Sequence, residues 1–522
     1  MYTLRDIFLY NPDKPLQFDQ YLFWLFFSVL FAGYLFVYRR DRLRILYLMC
    51  FSLFFYYKSG GYFFFLLLFS TVVDYTIGNW IYRSQTKWKK ISFVVLNVTI
   101  NLGILIFFKY SYFIVDNINL IFHTHFQAYN YLAGLFNAIG NPLSLNYHLD
   151  TAKILLPAGI SFFTFQTISY SVDIYREKIK PAKNILDYGF FVTFFPQLVS
   201  GPIVRAIEFV PQIHRKYSLT KEEFSGAIFL IINGLMKKVL ISDYISGFVD
   251  RIFASPGSFS GFENLMAVYG YSIQIYCDFS GYTDIAIGVA LLLGFHLPLN
   301  FNSPYKSNST TDFWRRWHIS LSRWLRDYLY IPLGGNRKGK IRQYINLMIT
   351  MLLGGLWHGA SVVFIIWGGL HGIGLAVHKL WADMWKRVRG IENDSEANQT
   401  PVFRFFDKIW NIISVIITFH FVAFCWIFFR SRTLDDAKEV LNRIFNNFQS
   451  KMVGQMIQGY GNIFAVIIIG YAIHFLPLSF KNAYKNAFNR TPLVVKAVIV
   501  AGVVIFLYQF ATAGRRFIYF QF

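Results

Sequence analysis

Apolar stretches of about 18 or more residues recur from one end of this chain to the other, each long enough to cross a bilayer as a helix. Nothing else in the sequence restricts the fold as strongly. Of 522 residues, 55% are hydrophobic and only 15% are charged, where soluble domains average about 25% charged. An all-α polytopic membrane protein follows, with roughly eleven to thirteen hydrophobic elements by the span-length criterion.

The formal net charge of +22 could suggest nucleic acid. In a membrane chain, however, Lys and Arg collect in cytoplasmic loops and face anionic lipid. The basic clusters fit that use. Arg39, Arg40, Arg42 and Arg44 follow the first apolar run, Arg83, Lys87, Lys89 and Lys90 follow a later one, and Arg176, Lys178, Lys180 and Lys183 another. No Lys or Arg lies between Lys109 and Lys153. An N-terminus outside puts every one of these clusters on the cytoplasmic side. The first run, residues 21–38, ends in Arg39-Arg40 without a small-residue cleavage pattern and reads as a retained helix. Cys50, Cys277 and Cys425 form no CxxC, sit within apolar runs and read as core filling.

Residues 190–204, FFVTFFPQLVSGPIV, are short and broken by Pro196 and by Gly201-Pro202. Broken backbone at membrane depth must be buried in protein or line a cavity, so a re-entrant element is expected there. Further spans are expected near 226–247, 264–277, 283–297, 343–357, 361–380, 409–430, 463–480 and 493–513. The polar stretch 386–408 reads as a loop. No internal repeat or soluble domain stands out. The chain is read as one membrane-embedded domain, 1–522, with N-terminal helices in 1–300, a core in 301–380 and C-terminal helices in 381–522.

Residues 312–335, DFWRRWHISLSRWLRDYLYIPLGG, are too charged to span a bilayer and too apolar for a loop. Pro304 and Pro332 bracket a helix starting near Ser309 to Thr311, with Asp312 in its first turn. At 100° per residue, Phe313, Trp314, Trp317, His318, Leu321, Trp324, Leu325, Tyr328 and Leu329 share an arc of about 160°. Arg315, Arg316, Arg323, Arg326, Asp327, Ser320 and Ser322 occupy the rest. Such a helix lies along the membrane interface or wedges between spans. His318 is anomalous inside the apolar arc; a buried imidazole bonded to a backbone carbonyl would account for it. His358 is the second anomaly. It is the first ionisable group after Arg342, in an apolar run where such groups are costly and face a cavity or a partner. Gly354, Gly355 and Gly359 beside it allow close backbone approach. His371 and His378, seven residues apart, read as structural.

WRRWHISLSRWLRDYLYIPLGGN, followed 40 residues after His318 by the histidine of GGLWHGAS, resembles the membrane-bound O-acyltransferase family, in its bacterial branch typified by alginate O-acetyltransferases. YCDFSGYTDIAIG at 276–288, FFPQLVSGPIVR at 194–205 and the terminal FIYFQF are similar to that branch as well. The resemblance covers most of the chain. It implies helices around a central tunnel, through which an acyl group passes from a cytoplasmic thioester, acetyl-coenzyme A favoured, to a hydroxyl on or beyond the far side. No tightly bound cofactor is implied. Carried onto this sequence, His358 matches the near-invariant family histidine and His318 the second polar position. A hydroxyl attacks a thioester poorly without a base, and a neutral imidazole suits that task. His358 is therefore expected as the base, with His318 orienting the acceptor or stabilising the oxyanion, although the roles could be exchanged.

Trp314, Trp317, Trp357 and Ser320 are then expected along the tunnel or against donor and acceptor. Arg315, Arg316, Arg323 and Arg326 either guide donor phosphates or anchor to lipid. Asp278, Ser280 and Asp284 are expected to brace the wall by hydrogen bonds. No histidine–carboxylate cluster has metal-ligand spacing. The resemblance also implies exported partner acetyltransferases, an exported polysaccharide such as alginate as final acceptor, lipid contact, and the bacterial cytoplasmic membrane as location. D-alanyl transfer to a cell-wall polymer is a related alternative, against which the extra spans after about residue 409 argue. A transporter is the alternative from another class, but it calls for paired inverted repeats. His378 to Asp383 formally matches HxxxxD, a glycerophosphate-acyltransferase pattern that chance readily produces among 11 histidines.

Overall fold

A computed structural model describes residues 7–140, 150–388, 401–510 and 518. Among the described residues every regular element is helical. Six helices are long and apolar enough to cross a membrane, or up to eight if each of two sharply bent pairs is one span; Tyr21–Val37 adds a shorter apolar helix. Leu25, Val29, Ile468, Ile469, Val494, Val498 and Ile505 are exposed on these helices. In a chain this apolar they form the lipid-facing coat, because bilayer contact removes the penalty that water would impose.

The chain divides into two compact units. The first comprises Met1–Pro15, Leu48–Val199 and Arg205–Val210. Here a polar knot ties three helices. Asp74, fully buried on Phe64–Arg83, accepts from Ser70 Oγ at 2.9 Å, Asn97 Nδ2 at 2.5 Å and Asn101 Nδ2 at 2.7 Å. Thr167, on the almost wholly buried Ile160–Tyr175 helix, donates to Asn101 Oδ1 at 2.9 Å. In a bilayer such bonds have no competing water, so they fix which helix faces meet. The Ile185–Thr193 helix, N-capped by Asn184, stops at Phe194, and a four-residue helix, Phe195–Leu198, follows around Pro196. Every residue from 187 to 199 is buried, as the broken stretch at 190–204 requires.

The second unit comprises Leu16–Tyr47, Ser200–Val204 and Pro211–Phe522. Tyr21–Val37 is folded into it, Tyr34 donating its hydroxyl to the carbonyl of Leu293 at 2.8 Å. Its axis is the 32-residue helix Gly261–Leu292, started by a capping box of Ser260 and Glu263 and buried along most of its length. The spans expected separately at 264–277 and 283–297 are therefore one helix. The polar residues between them need no break in the backbone, because they find side-chain partners on the neighbouring helix (below). Lys221–Met236 lies against it at glycine contacts: a Cβ at Gly281 would stand 2.7 Å from the carbonyl oxygen of Gly234.

Three further expectations change. The presumed loop 386–408 is helical at both edges, within Val362–Val388 and Pro401–Arg430, while 389–400 lies outside the described residues. Cys277 and Cys425 are buried, but Cys50 is exposed on Asp41–Gly60, where an apolar thiol suits a lipid-facing surface as well as a core. The helix expected from Ser309 onward begins as read, with Ser309 Oγ accepting the Asp312 N–H at 3.2 Å. It then breaks into Thr310–Arg316 and Ile319–Leu325, followed by a π turn, Arg326–Tyr330.

Candidate active site

The break falls at His318. Its backbone is left-handed, φ 40° and ψ 57°, a conformation uncommon for a side chain with a Cβ and held only where surroundings over-determine it. The 300–302 segment supplies that constraint. The Ile319 N–H donates to the Asn300 carbonyl at 3.0 Å, and the Asn302 N–H to the Arg316 carbonyl at 2.9 Å. Ser320 donates its hydroxyl to Asn300 Oδ1 at 2.7 Å and accepts the Ile203 N–H at 3.0 Å. Ser320, expected against donor or acceptor, thus braces the turn that presents His318. Despite the break, the two-faced pattern survives: Phe313, Trp314, Trp317, Leu321, Trp324 and Leu325 are buried, while Arg315, Arg323 and Arg326 are exposed and Arg316 is half-buried.

The His318 ring is fully buried, edge-on to Phe279 at 4.7 Å and 6.1 Å from Trp357. It lies outside the six spans, and burial holds its pKa far below the ordinary histidine range. At neutral pH it is an uncharged imidazole.

His358 ends the Gly339–His358 helix and is 4% exposed. Its ring stands edge-on to Trp357 at 4.9 Å, Trp367 at 5.0 Å and Phe429 at 5.2 Å. Trp357 therefore touches both imidazoles, and residues 40 positions apart share one aromatic wall. Glycines make this possible. A Cβ at Gly355 would stand 2.2 Å from the carbonyl oxygen of Phe364, on the next helix. Gly355→Ala is accordingly expected to destabilise the fold by about 1–3 kcal/mol and to displace His358. Thermal melting in detergent checks the first effect; if Gly355→Ala melts like the parent, the contact is not a constraint.

A third histidine belongs to the same wall. His371 Nδ1 accepts the Trp314 indole N–H at 3.3 Å, and its ring lies 4.8 Å from Trp367, the ring that also borders His358. The sequence reads His371 as structural, and its seven-residue spacing from His378 gives no sign of these tryptophan contacts. His378 instead meets the Thr311 hydroxyl at 2.8 Å, and Asp383 pairs with Lys340 at 2.7 Å, so the formal HxxxxD residues point to separate partners. Trp317 packs between Phe301 and Trp426, each at 5.0 Å.

Behind Phe279 lies a buried ion network. Asp278, fully buried, stands 2.6 Å from Lys238 Nζ and accepts the Ile518 N–H at 2.8 Å; Lys238 also meets Asp243 at 2.9 Å. Six residues on, Asp284 meets Lys237 at 2.7 Å and accepts from Asn233 at 3.0 Å. Ser280 is buried nearby. The bracing expected of Asp278 and Asp284 is thus ionic. The two lysines, carried on the π turn Lys237–Asp243, escaped the sequence reading, although paired cations inside an apolar run were a visible signal. Arg316 pairs with Asp312 at 2.8 Å and Arg326 with Asp327 at 2.7 Å; the other two arginines of that set, Arg315 and Arg323, lie on the exposed face of the helix pair.

Comparison with known proteins adds an independent line. The sequence model of the membrane-bound O-acyltransferase family matches residues 104–422, a range that contains both site histidines. A peptidoglycan O-acetyltransferase of Helicobacter pylori is 34% identical over 497 residues, covering 87% of this chain and 86% of that protein. A probable alginate O-acetylase, AlgI, of Pseudomonas aeruginosa is 39% identical over 383 residues, covering 72% of this chain and 65% of that protein. A teichoic acid D-alanyltransferase of Bacillus subtilis is 29% identical over 285 residues, covering 52% and 68%. With two imidazoles buried against one tryptophan in an all-helical membrane body, and with likeness running through most of its length, this chain belongs to the membrane-bound O-acyltransferase family and is an O-acyltransferase.

Proposed function

We propose that the chain transfers an acetyl group from a cytoplasmic thioester, acetyl-coenzyme A first among them, to a hydroxyl serving the O-acetylation of an exported envelope polysaccharide. The observation that carries this reading is the pairing of His318 and His358 across Trp357. The hydroxyl oxygen attacks the thioester carbonyl while neutral His358 takes its proton. His318 orients the acceptor or donates to the developing oxyanion. As the tetrahedral adduct collapses, the C–S bond breaks and the imidazolium returns the proton to the departing thiolate. The products are an ester and a free thiol, and the histidine ends neutral. A dry, aromatic setting favours the uncharged imidazole this needs.

Acetyl is preferred to D-alanyl because the likeness to O-acetyltransferases extends over 72–87% of the chain, against 52% for the D-alanyltransferase. Both acetyltransferase relatives are named for a glycan polymer, which makes alginate-like or peptidoglycan acceptors the first to test. Exported partner acetyltransferases would complete the transfer, with the protein in the bacterial cytoplasmic membrane, its N-terminus outside and a central tunnel joining the two sides. Proteoliposomes supplied with radiolabelled acetyl-coenzyme A and an oligosaccharide acceptor are expected to yield labelled ester that alkali releases. Label that crosses the membrane unesterified would instead support a transporter, and label accepted only from a D-alanyl thioester would support D-alanylation.

A further inference from the structure

The helix Gly461–Phe475 turns at Leu476-Pro477 into Leu478–Arg490, and cations gather at this corner. Lys306 Nζ donates to the Leu476 carbonyl at 2.6 Å; Lys481 Nζ donates to the His474 carbonyl at 2.9 Å and to Ser303 Oγ at 3.1 Å. Each ammonium carries three donors, and carbonyl capping at a helix end uses one of them in each lysine. Neither lysine has a carboxylate within ion-pair distance among the described residues. Lys237 stands over the Tyr276 ring at 5.7 Å, and Tyr276 in turn is edge-on to His474 at 4.6 Å. All three lysines lie within electrostatic reach of the His474 imidazole, and Arg316 lies within reach of Lys306. The acids here are Asp284, on Lys237, and Asp312, on Arg316. Two positive charges remain uncompensated.

His474 is the decisive member. It is 2% exposed, and its Nε2 accepts the Tyr305 N–H at 3.1 Å. A nitrogen that accepts cannot carry the proton, so the neutral ring holds it on Nδ1. That buried Nδ1–H has no acceptor among the described residues. The corner is thus rich in donors and poor in acceptors, at a cost that a buried polar group tolerates only when something answers it. The lysines themselves are half-buried and open on one side to the surface. Ser303, whose hydroxyl receives Lys481, is held at φ 46° in the left-handed region, and strained backbone of this kind clusters at ligand sites.

We propose that Lys306, Lys481, Lys237 and the Nδ1–H of His474 form a site for a phosphate-bearing anion. Resting on the acyl-thioester reading above, its occupant is the diphosphate of the donor. Tyr276, which borders the corner, meets Phe301 at 5.9 Å; Phe301 meets Phe279 at 5.1 Å; and Phe279 meets His318 at 4.7 Å. A continuous ring wall therefore leads from the corner to the reactive imidazole, along which a thin pantetheine arm would reach. A phospholipid headgroup offers the same phosphate chemistry from another source.

The test uses the full chain in phosphatidylcholine nanodiscs, with inorganic pyrophosphate, coenzyme A and a short-chain phosphatidylglycerol as separate probes. Lys306→Gln/Lys481→Gln keeps a capping N–H for each carbonyl but removes both charges; Lys306→Arg/Lys481→Arg keeps the charges. Pyrophosphate is expected to bind the glutamine variant about tenfold or more weakly than the parent, one charged hydrogen bond corresponding to at least a factor of ten. The arginine variant should bind as the parent does. Coenzyme A weakened in parallel identifies the donor as occupant. Pyrophosphate and phosphatidylglycerol weakened together, with coenzyme A failing to bind even the parent, keeps the site, assigns it to lipid and sinks the donor reading alone. Equal binding of pyrophosphate to parent and glutamine variant, or no binding to either, overturns the proposal.

Discussion

Alanine at His358 is expected to lower the rate of acetyl transfer by about 10²–10⁴-fold, the usual contribution of a positioned general base, while the protein still inserts and melts as the parent does. His358 is at the end of its helix, next to Gly359, and it packs its ring against Trp357, Trp367 and Phe429. Loss of its ring leaves Trp357, Trp367 and Phe429 in contact with other aromatics: Trp367 and Phe429 lie 5.1 Å apart, and Trp357 keeps His318. His318→Ala is expected to cost about 10²–10³-fold if it serves the oxyanion. Steady-state rates with a soluble acceptor separate the two. A base acts only in the transition state, so His358→Ala should reduce kcat with KM unchanged. An acceptor-orienting His318 should raise the acceptor KM as well. Either variant turning over near the parent rate would remove that histidine from the chemistry.

Methionine at Lys238 is expected to destabilise the protein by about 3–5 kcal/mol, because removing one partner of a buried pair strands the other charge. Lys238 lies between Asp278 at 2.6 Å and Asp243 at 2.9 Å, its side chain 5% and that of Asp278 1% exposed. Detergent-solubilised Lys238→Met should melt far below the parent or fail to accumulate. Lys238→Met/Asp278→Leu should recover only part of the loss, since it removes the stranded Asp278 carboxylate but leaves Asp243, 2.9 Å from Lys238 in the parent, without its ammonium. Equal melting of the single variant and the parent would show that the network is not needed for folding. The pair also bears on the site. Asp278 precedes Phe279, the ring against His318, so a double variant that folds but acetylates poorly would place the network's importance in holding that ring.

The division of labour between sequence and tertiary structure follows from these residues. A membrane helix advertises itself through length and apolarity, and those are properties of contiguous residues; several of the spans, the Ser309 start and the break around Pro196 were readable for that reason. The arc of Phe313, Trp314, Trp317 and Leu321 could likewise be placed on a buried face, because a helical period is local. The break at His318 could not be read. It is imposed by Asn300 and Asn302, whose backbone and amide replace helix hydrogen bonds across the chain. Nor could the unbroken course of Gly261–Leu292, since its internal carboxylates are tolerated only where Lys237 and Lys238 approach from another helix. Charge and period fixed what must leave water. Which buried histidine meets which ring, and that His371 joins His358 through Trp367, was decided by close helix contact at Gly355 and Gly368, where distances of a few ångströms arise from residues that the linear order keeps apart.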